Sequence, residues 1–209
     1  MNGYGKSVTA AYIVVFSALA IVLTFAKVEV AYPLLPYLKF DFAEVPVVIA
    51  LMLGGLVPGL VTDVIHWVGL SLARGWVLGP LMKFLAVIPM VVGFWLGMRI
   101  HERRWSVKSI VTSIMFGIAF RVAVCSVLNV AVLLFIAPEF LQFSEYSLKA
   151  LGINVASTHD VILWTLTLNG IFNAVHVILS TAIAIMLFRA AAKRLSTVAK
   201  KAWISLEVK

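Results

Sequence analysis

Asn169, Asn173 and His176 are spaced by four and three residues, so a helix would set all three on one stripe. Asn129 and Lys83 stand in two other apolar stretches. Amides supply donors and acceptors without the cost of burying a charge, and a lysine adds a charge-assisted donor. That set suits the polar edge of a bound heterocycle better than any covalent step. The same groups could instead bond one another and lock helices together, a common use of such side chains within membranes. Asp63 and His66, three apart, also share a helix face and offer a runner-up chemistry, the proton relay of an ion-coupled secondary carrier. Other chemistries find no footing. There is no HExxH and no GxxxxGK[ST] loop, His101 and His159 lack ligand spacing, and the single cysteine, Cys125, reads as a small core residue. The expectation is no catalytic residue, no metal and no cofactor of the chain's own.

The elements that would carry these residues follow from composition. Of 209 residues, 63% are hydrophobic and 12% charged, with a mean hydropathy of +1.07, outside the range of soluble domains. Apolar windows of about 18 or more residues, long enough to cross a bilayer, recur along the chain. The predicted fold is all-α: a polytopic membrane protein forming a single domain over 1–209, with six transmembrane helices at 7–26, 44–54, 57–73, 78–100, 109–136 and 160–192. Pro33 and Pro36 forbid a helix in the connector 27–43, and Gly54, Gly55, Pro58 and Gly59 split the next apolar run in two. Pro80 suits a first turn, Ala137-Pro138 ends the fifth helix, and the mixed segment 137–159 reads as a loop bearing a surface helix.

Lys6, Arg99, Arg103, Arg104, Arg189 and the basic tail fall on one side of this arrangement, against few such residues as Lys27, Lys39 and Lys149 on the other. By the positive-inside rule both termini are cytoplasmic, and 27–43 and 137–159 are external loops of a multi-pass cell-membrane protein. The run His101 to Lys108, HERRWSVK, reads as an anchor at lipid headgroups and not as a nucleic-acid patch. Arg121 is expected to snorkel or to pair within the bundle. Lys83, Asn129 and the stripe 169–176 then converge in the outer half, beneath the external loops. In LKFDFAEVP, Leu38 to Pro46, alternation puts Phe40 and Phe42 on one side, as a pocket cover, and Lys39 and Asp41 on the other, in water. Glu44 suits the first turn of the helix that follows.

These residues resemble a known family. LKFDFAEVP, GGLVPGLV (Gly54 to Val61), GPLMKFLAVIP (Gly79 to Pro89), LNVAVLLFIAP (Leu128 to Pro138) and FNAVH (Phe172 to His176) are similar to motifs of S components, the substrate-binding membrane subunits of energy-coupling factor (ECF) vitamin transporters, in particular the riboflavin-specific group. The resemblance implies a six-helix subunit that holds riboflavin, or a related flavin, under its first external loop. It also implies ATP-driven uptake with a transmembrane coupling subunit and two ABC ATPases; thiamine or another vitamin is the alternative ligand. Carried over, the ligand-bonding positions fall on Asn129, Asn173 and His176, the last being lysine in the riboflavin-type pattern. His66 and Lys83 depart as well, where lysine and asparagine are usual. The docking pattern of small residues on the first helix is not intact, the nearest pairs being Ser7/Ala11 and Ala20/Thr24.

Overall fold

A computed structural model describes residues 5–75, 77–195 and 200–206. Parts of the basic tail, 196–199 and 207–209, lie outside the described residues. The described residues form seven α-helices and one small hairpin: α1 (Lys6–Phe25), β1 (Glu29–Ala31), β2 (Lys39–Asp41), α2 (Glu44–Gly54), α3 (Leu56–Arg74), α4 (Leu78–Ile100), α5 (Val107–Ala131), α6 (Glu139–Ala150) and α7 (Thr158–Arg194). A π-helical turn, Val132–Ile136, prolongs α5 before Ala137-Pro138 stops it.

Burial explains the helices better than amphipathicity does. Along α1 only Ser17, Ala20 and Thr24 are buried, a small-residue stripe at spacings of three and four, while Val14, Val15, Val22 and Phe25 point outward. Outward apolar side chains with small and hydroxyl residues at the helix contact are the pattern of a helix in lipid. Ser17 donates to the Thr62 carbonyl at 3.5 Å and Thr24 Oγ1 meets His66 Nε2 at 3.0 Å, tying α1 to α3. Between α4 and α5 the contact is closest at Gly93 and Gly97, where an added Cβ would fall on the Phe116 carbonyl and on the Ser113 backbone.

Among the described residues five helices are long and apolar enough to cross a bilayer: α1, α3, α4, α5 with its π turn, and α7. The segment 44–54, expected as a membrane span, is a helix of 11 residues, about 16 Å at 1.5 Å per residue, too short to cross alone. It is instead buried on every side, with Val45, Val47, Val48, Leu51 and Met52 forming the centre of the main core. Its last carbonyls would be orphaned there. The C-terminal segment folds back to take them: Trp203 N–H donates to the Leu53 carbonyl at 2.8 Å and Ile204 N–H to that of Met52 at 3.2 Å. The turn into α3 runs through Gly55 at φ +88°, with the Trp203 ring packed where a side chain would project.

The connector 27–43 is not irregular throughout. It holds an antiparallel hairpin in which Glu29, Val30 and Ala31 pair with Asp41, Phe40 and Lys39, and the loop between the strands carries Pro33 and Pro36. This strap lies over a second apolar cluster of Tyr32, Leu35, Leu148, Leu168 and Phe172, to which α6 and α7 contribute. A Ser157/Asp160 capping box starts α7, whose 37 residues extend about 55 Å, longer than a hydrocarbon core.

Candidate ligand-binding cavity

Beneath the strap lies a cavity of about 390 Å³, within the range of small-molecule sites. It is walled by the strap, the ends of α3 and α4 nearest the strap, the second half of α5 and the first half of α7, with Glu44 of α2 and Phe140 of α6. From α7 come Thr165, Asn169, Phe172, Asn173 and His176, residues at helical spacings that keep one face inward. Lys83 comes from α4, Asn129 and Cys125 from α5, Tyr37, Lys39 and Asp41 from the strap. Of the residues singled out in the sequence, Asn129, Asn169, Asn173, His176, Lys83 and Asp41 therefore share one cavity.

Phe40 and Phe42 do not line it. Alternation along the strap holds, but the faces are the reverse of the expectation. Phe40 stacks on Phe172 at 4.9 Å between ring centroids, meets Tyr32 edge-on at 5.7 Å and His176 at 5.6 Å, and Phe42 packs against the main core. Lys39 and Asp41 face the cavity, where Asp41 pairs with Lys83 Nζ and Lys39 with Glu29. Apolar contacts on that side, the aromatic cluster for Phe40 and the main core for Phe42, partly bury the phenylalanines, whereas Lys83 on the cavity side offers Asp41 a counter-charge. Asp41 Oδ1 also accepts from the Ala43 N–H at 2.7 Å, fixing the turn into α2. Tyr37 reaches Ser144 Oγ on α6 at 3.1 Å, and burial pushes its phenol above the usual range, with that hydrogen bond opposing the shift.

At the cavity floor stands an ion pair that the sequence reading did not assign to the site. Glu44, expected to serve as a helix-start acid, is 1% exposed and faces Arg121 in a two-point contact, Nη1 to Oε2 at 2.7 Å and Nη2 to Oε1 at 3.0 Å. Arg121 pairs within the bundle as expected, yet both residues also line the cavity. The guanidinium further donates from Nε to Asn173 Oδ1 at 2.8 Å, from Nη2 to His176 Nδ1 at 3.1 Å, and from Nη1 towards Met90 Sδ at 3.6 Å. Asn173 in turn donates from Nδ2 to the Asn169 carbonyl at 2.9 Å.

Arginine can only donate, so Nδ1 of His176 is an acceptor and the proton of a neutral ring falls on Nε2, which lies 3.1 Å from the Asp41 carbonyl and 3.2 Å from the Asp41 backbone nitrogen. His176 thus bridges the floor to the strap. An isolated arginine within an apolar helix was the available signal for this centre, since such residues mark function more often than not. Thr165 was also missed; its buried Oγ1 has no hydrogen-bond partner among the described residues and belongs to a cavity-lining residue. Asp63 and His66, the candidate relay, do not line the cavity, and His66 is bonded to Thr24.

No family model matches the chain. A curated relative, the riboflavin transporter RibU of Staphylococcus aureus (strain TCH60), is 32% identical over 119 residues, which are 56% of this chain and 61% of that protein. The match thus spans less than two thirds of the relative's length. Among solved structures, one described as the S component of a bacterial ECF transporter superposes with a TM-score of 0.66 at 24% identity, covering 90% of this chain and 98% of the other. The chain is a multi-pass membrane protein with the fold of an ECF-transporter S component, and it is related in sequence to a riboflavin transporter.

Proposed function

We propose that the chain is the substrate-binding subunit of an ECF-type transporter, taking riboflavin or a related flavin into the cavity beneath its strap for ATP-driven uptake. It performs no covalent chemistry and carries no cofactor of its own. A transmembrane coupling subunit and two ABC ATPases supply the energy, since the sequence contains no nucleotide-binding loop. The observation that carries the reading is the polar face of α7, Thr165, Asn169, Asn173 and His176, set opposite Asn129 in a cavity of about 390 Å³. In this reading six helices cross or enter the cell membrane, both termini are cytoplasmic, and the strap faces outward.

Each group then has a task. Asn129 and Thr165 offer uncommitted polar atoms to the ligand's heterocyclic edge, while Tyr37, Phe140 and Phe172 flank its ring system. The cation that the riboflavin-type pattern carries at position 176 is supplied from α5 instead, because Arg121 is bonded to His176 and Asn173. Titration of the purified protein with riboflavin tests the assignment. Quenching of flavin fluorescence at sub-micromolar to micromolar concentration is expected; no quenching would remove flavin as the ligand, and uptake by the lone chain in liposomes driven by a pH gradient would remove the ATP-coupled mechanism.

A further inference from the structure

One buried acid has no partner. Asp63 on α3 is 1% exposed, and neither of its carboxylate oxygens has a hydrogen-bond partner among the described residues. The cations nearby are already committed. Arg121 has five N–H groups, and all five are directed: Nε to Asn173, two towards Glu44, one to His176 and one to Met90. Lys83 is held by Asp41. The fully buried ionisable groups are two carboxylates, Glu44 and Asp63, one guanidinium, Arg121, and two imidazoles, His66 and His176. An ionised carboxylate buried without a partner is among the costliest states a protein interior can hold.

We infer that Asp63 is a proton-binding site, carrying its proton at neutral pH as a neutral carboxylic acid. Its surroundings suit an acid better than a metal ion. Trp67 Nε1, one turn along the same helix and so on the same side, is also buried without a hydrogen-bond partner, as is Thr62 Oγ1 on the residue before Asp63. An indole N–H can only donate, which matches an acid's carbonyl oxygen and repels a cation. Hard cations take six or more oxygen ligands, and no group of three or more His, Cys, Asp or Glu is gathered among the described residues. The charged groups acting on Asp63 are Glu44 from α2, Lys83 from α4 and Arg121 from α5; α1 carries only Lys6 and Tyr12 as titratable groups, and on α3 itself His66 is bonded to Thr24. The proton protects the cavity floor: an anionic Asp63 would compete with Glu44 for Arg121 and draw the guanidinium from Asn173 and His176.

Infrared spectroscopy of the full chain in lipid nanodiscs tests this directly. The sequence has three aspartates, Asp41, Asp63 and Asp160; of the other two, Asp41 is ion-paired and Asp160 is an exposed helix cap. Labelling all aspartate side-chain carboxyls with carbon-13 is expected to shift a protonated-carboxyl C=O band at neutral pH, and Asp63→Asn to abolish that band. No protonated band, or one that neither labelling nor the substitution moves, overturns the inference. So does a thermal stabilisation by sodium or potassium that is lost in Asp63→Asn, which would put a metal cation at the site. The labelling arm needs no variant, and neither arm depends on the identity of the transported ligand.

Discussion

Glu44 and Arg121 are 77 residues apart and close a two-point ion pair at the floor of the cavity, with nitrogen–oxygen distances of 2.7 and 3.0 Å. Ser180 Oγ adds a longer contact to Glu44 at 3.4 Å. The pair joins α2, α5 and α7 at the level where the ligand would rest. Removing one partner leaves a buried charge alone, which costs about 3–5 kcal/mol. Glu44→Ala and Arg121→Ala are each expected to lower the thermal midpoint in detergent strongly. The double replacement should recover much of the loss; equal destabilisation by all three variants would show that the pair does not act as a unit.

Asn173 spends its amide on Arg121 and on the Asn169 carbonyl, and it also lines the cavity. Asn173→Ala unpairs groups on both sides of that wall. Riboflavin affinity is expected to fall by about 1–3 kcal/mol, roughly 5- to 150-fold in Kd, measured by fluorescence quenching. Thr165→Val, which removes one uncommitted hydroxyl and keeps the shape, should cost about 0.5–1.5 kcal/mol of affinity without lowering stability.

Lys83 and Asp41 bind the strap to α4 at the cavity rim, with side chains 17% and 12% exposed. Partial exposure screens such a pair, so its contribution is on the order of 1 kcal/mol. Asp41→Asn should raise the flavin dissociation rate several-fold, read by stopped-flow fluorescence, and speed proteolysis within residues 26–43. The thermal midpoint should hardly move, because the aromatic cluster of Tyr32, Phe40 and Phe172 keeps the hairpin seated.

Gly93 and Gly97 set the spacing of α4 and α5. Alanine at either position would press on backbone atoms of α5, which cannot swing aside as a side chain can. A cost of about 1–3 kcal/mol or more is expected, seen as a lowered midpoint and poor yield. Gly170→Ala is the control: its added methyl would sit 3.7 Å from Val122 Cγ1, an ordinary contact, so the variant should be neutral or gain about 0.5–1 kcal/mol from helix propensity.

Much of the site could be read from sequence because its signals are local. The stripe Asn169, Asn173 and His176 depends only on helical spacing, and the amides stood out because so little else in these helices is polar. Glu44 and Arg121 were harder. A glutamate at the start of a helix has an ordinary use as a first-turn acid, and a lone arginine can be explained by snorkelling, so each residue had a sufficient local account. Only their contact gives them a joint role. The strap misled for a similar reason: alternation fixes that Phe40 and Asp41 face opposite ways, but not which of the two faces meets the cavity.

By itself, then, the sequence determined a mostly helical membrane protein, the break at Gly54–Gly55 and the polar stripe of α7, because apolar length, backbone freedom and helical period are properties of neighbouring residues. Tertiary structure decided that α2 is a short buried core helix, that Asp41 and not Phe40 looks into the cavity, and that Arg121 reaches Glu44, Asn173 and His176. Those outcomes rest on packing between segments far apart in the chain. In a bundle with few charges, each cation goes to the carboxylate that the fold brings within reach.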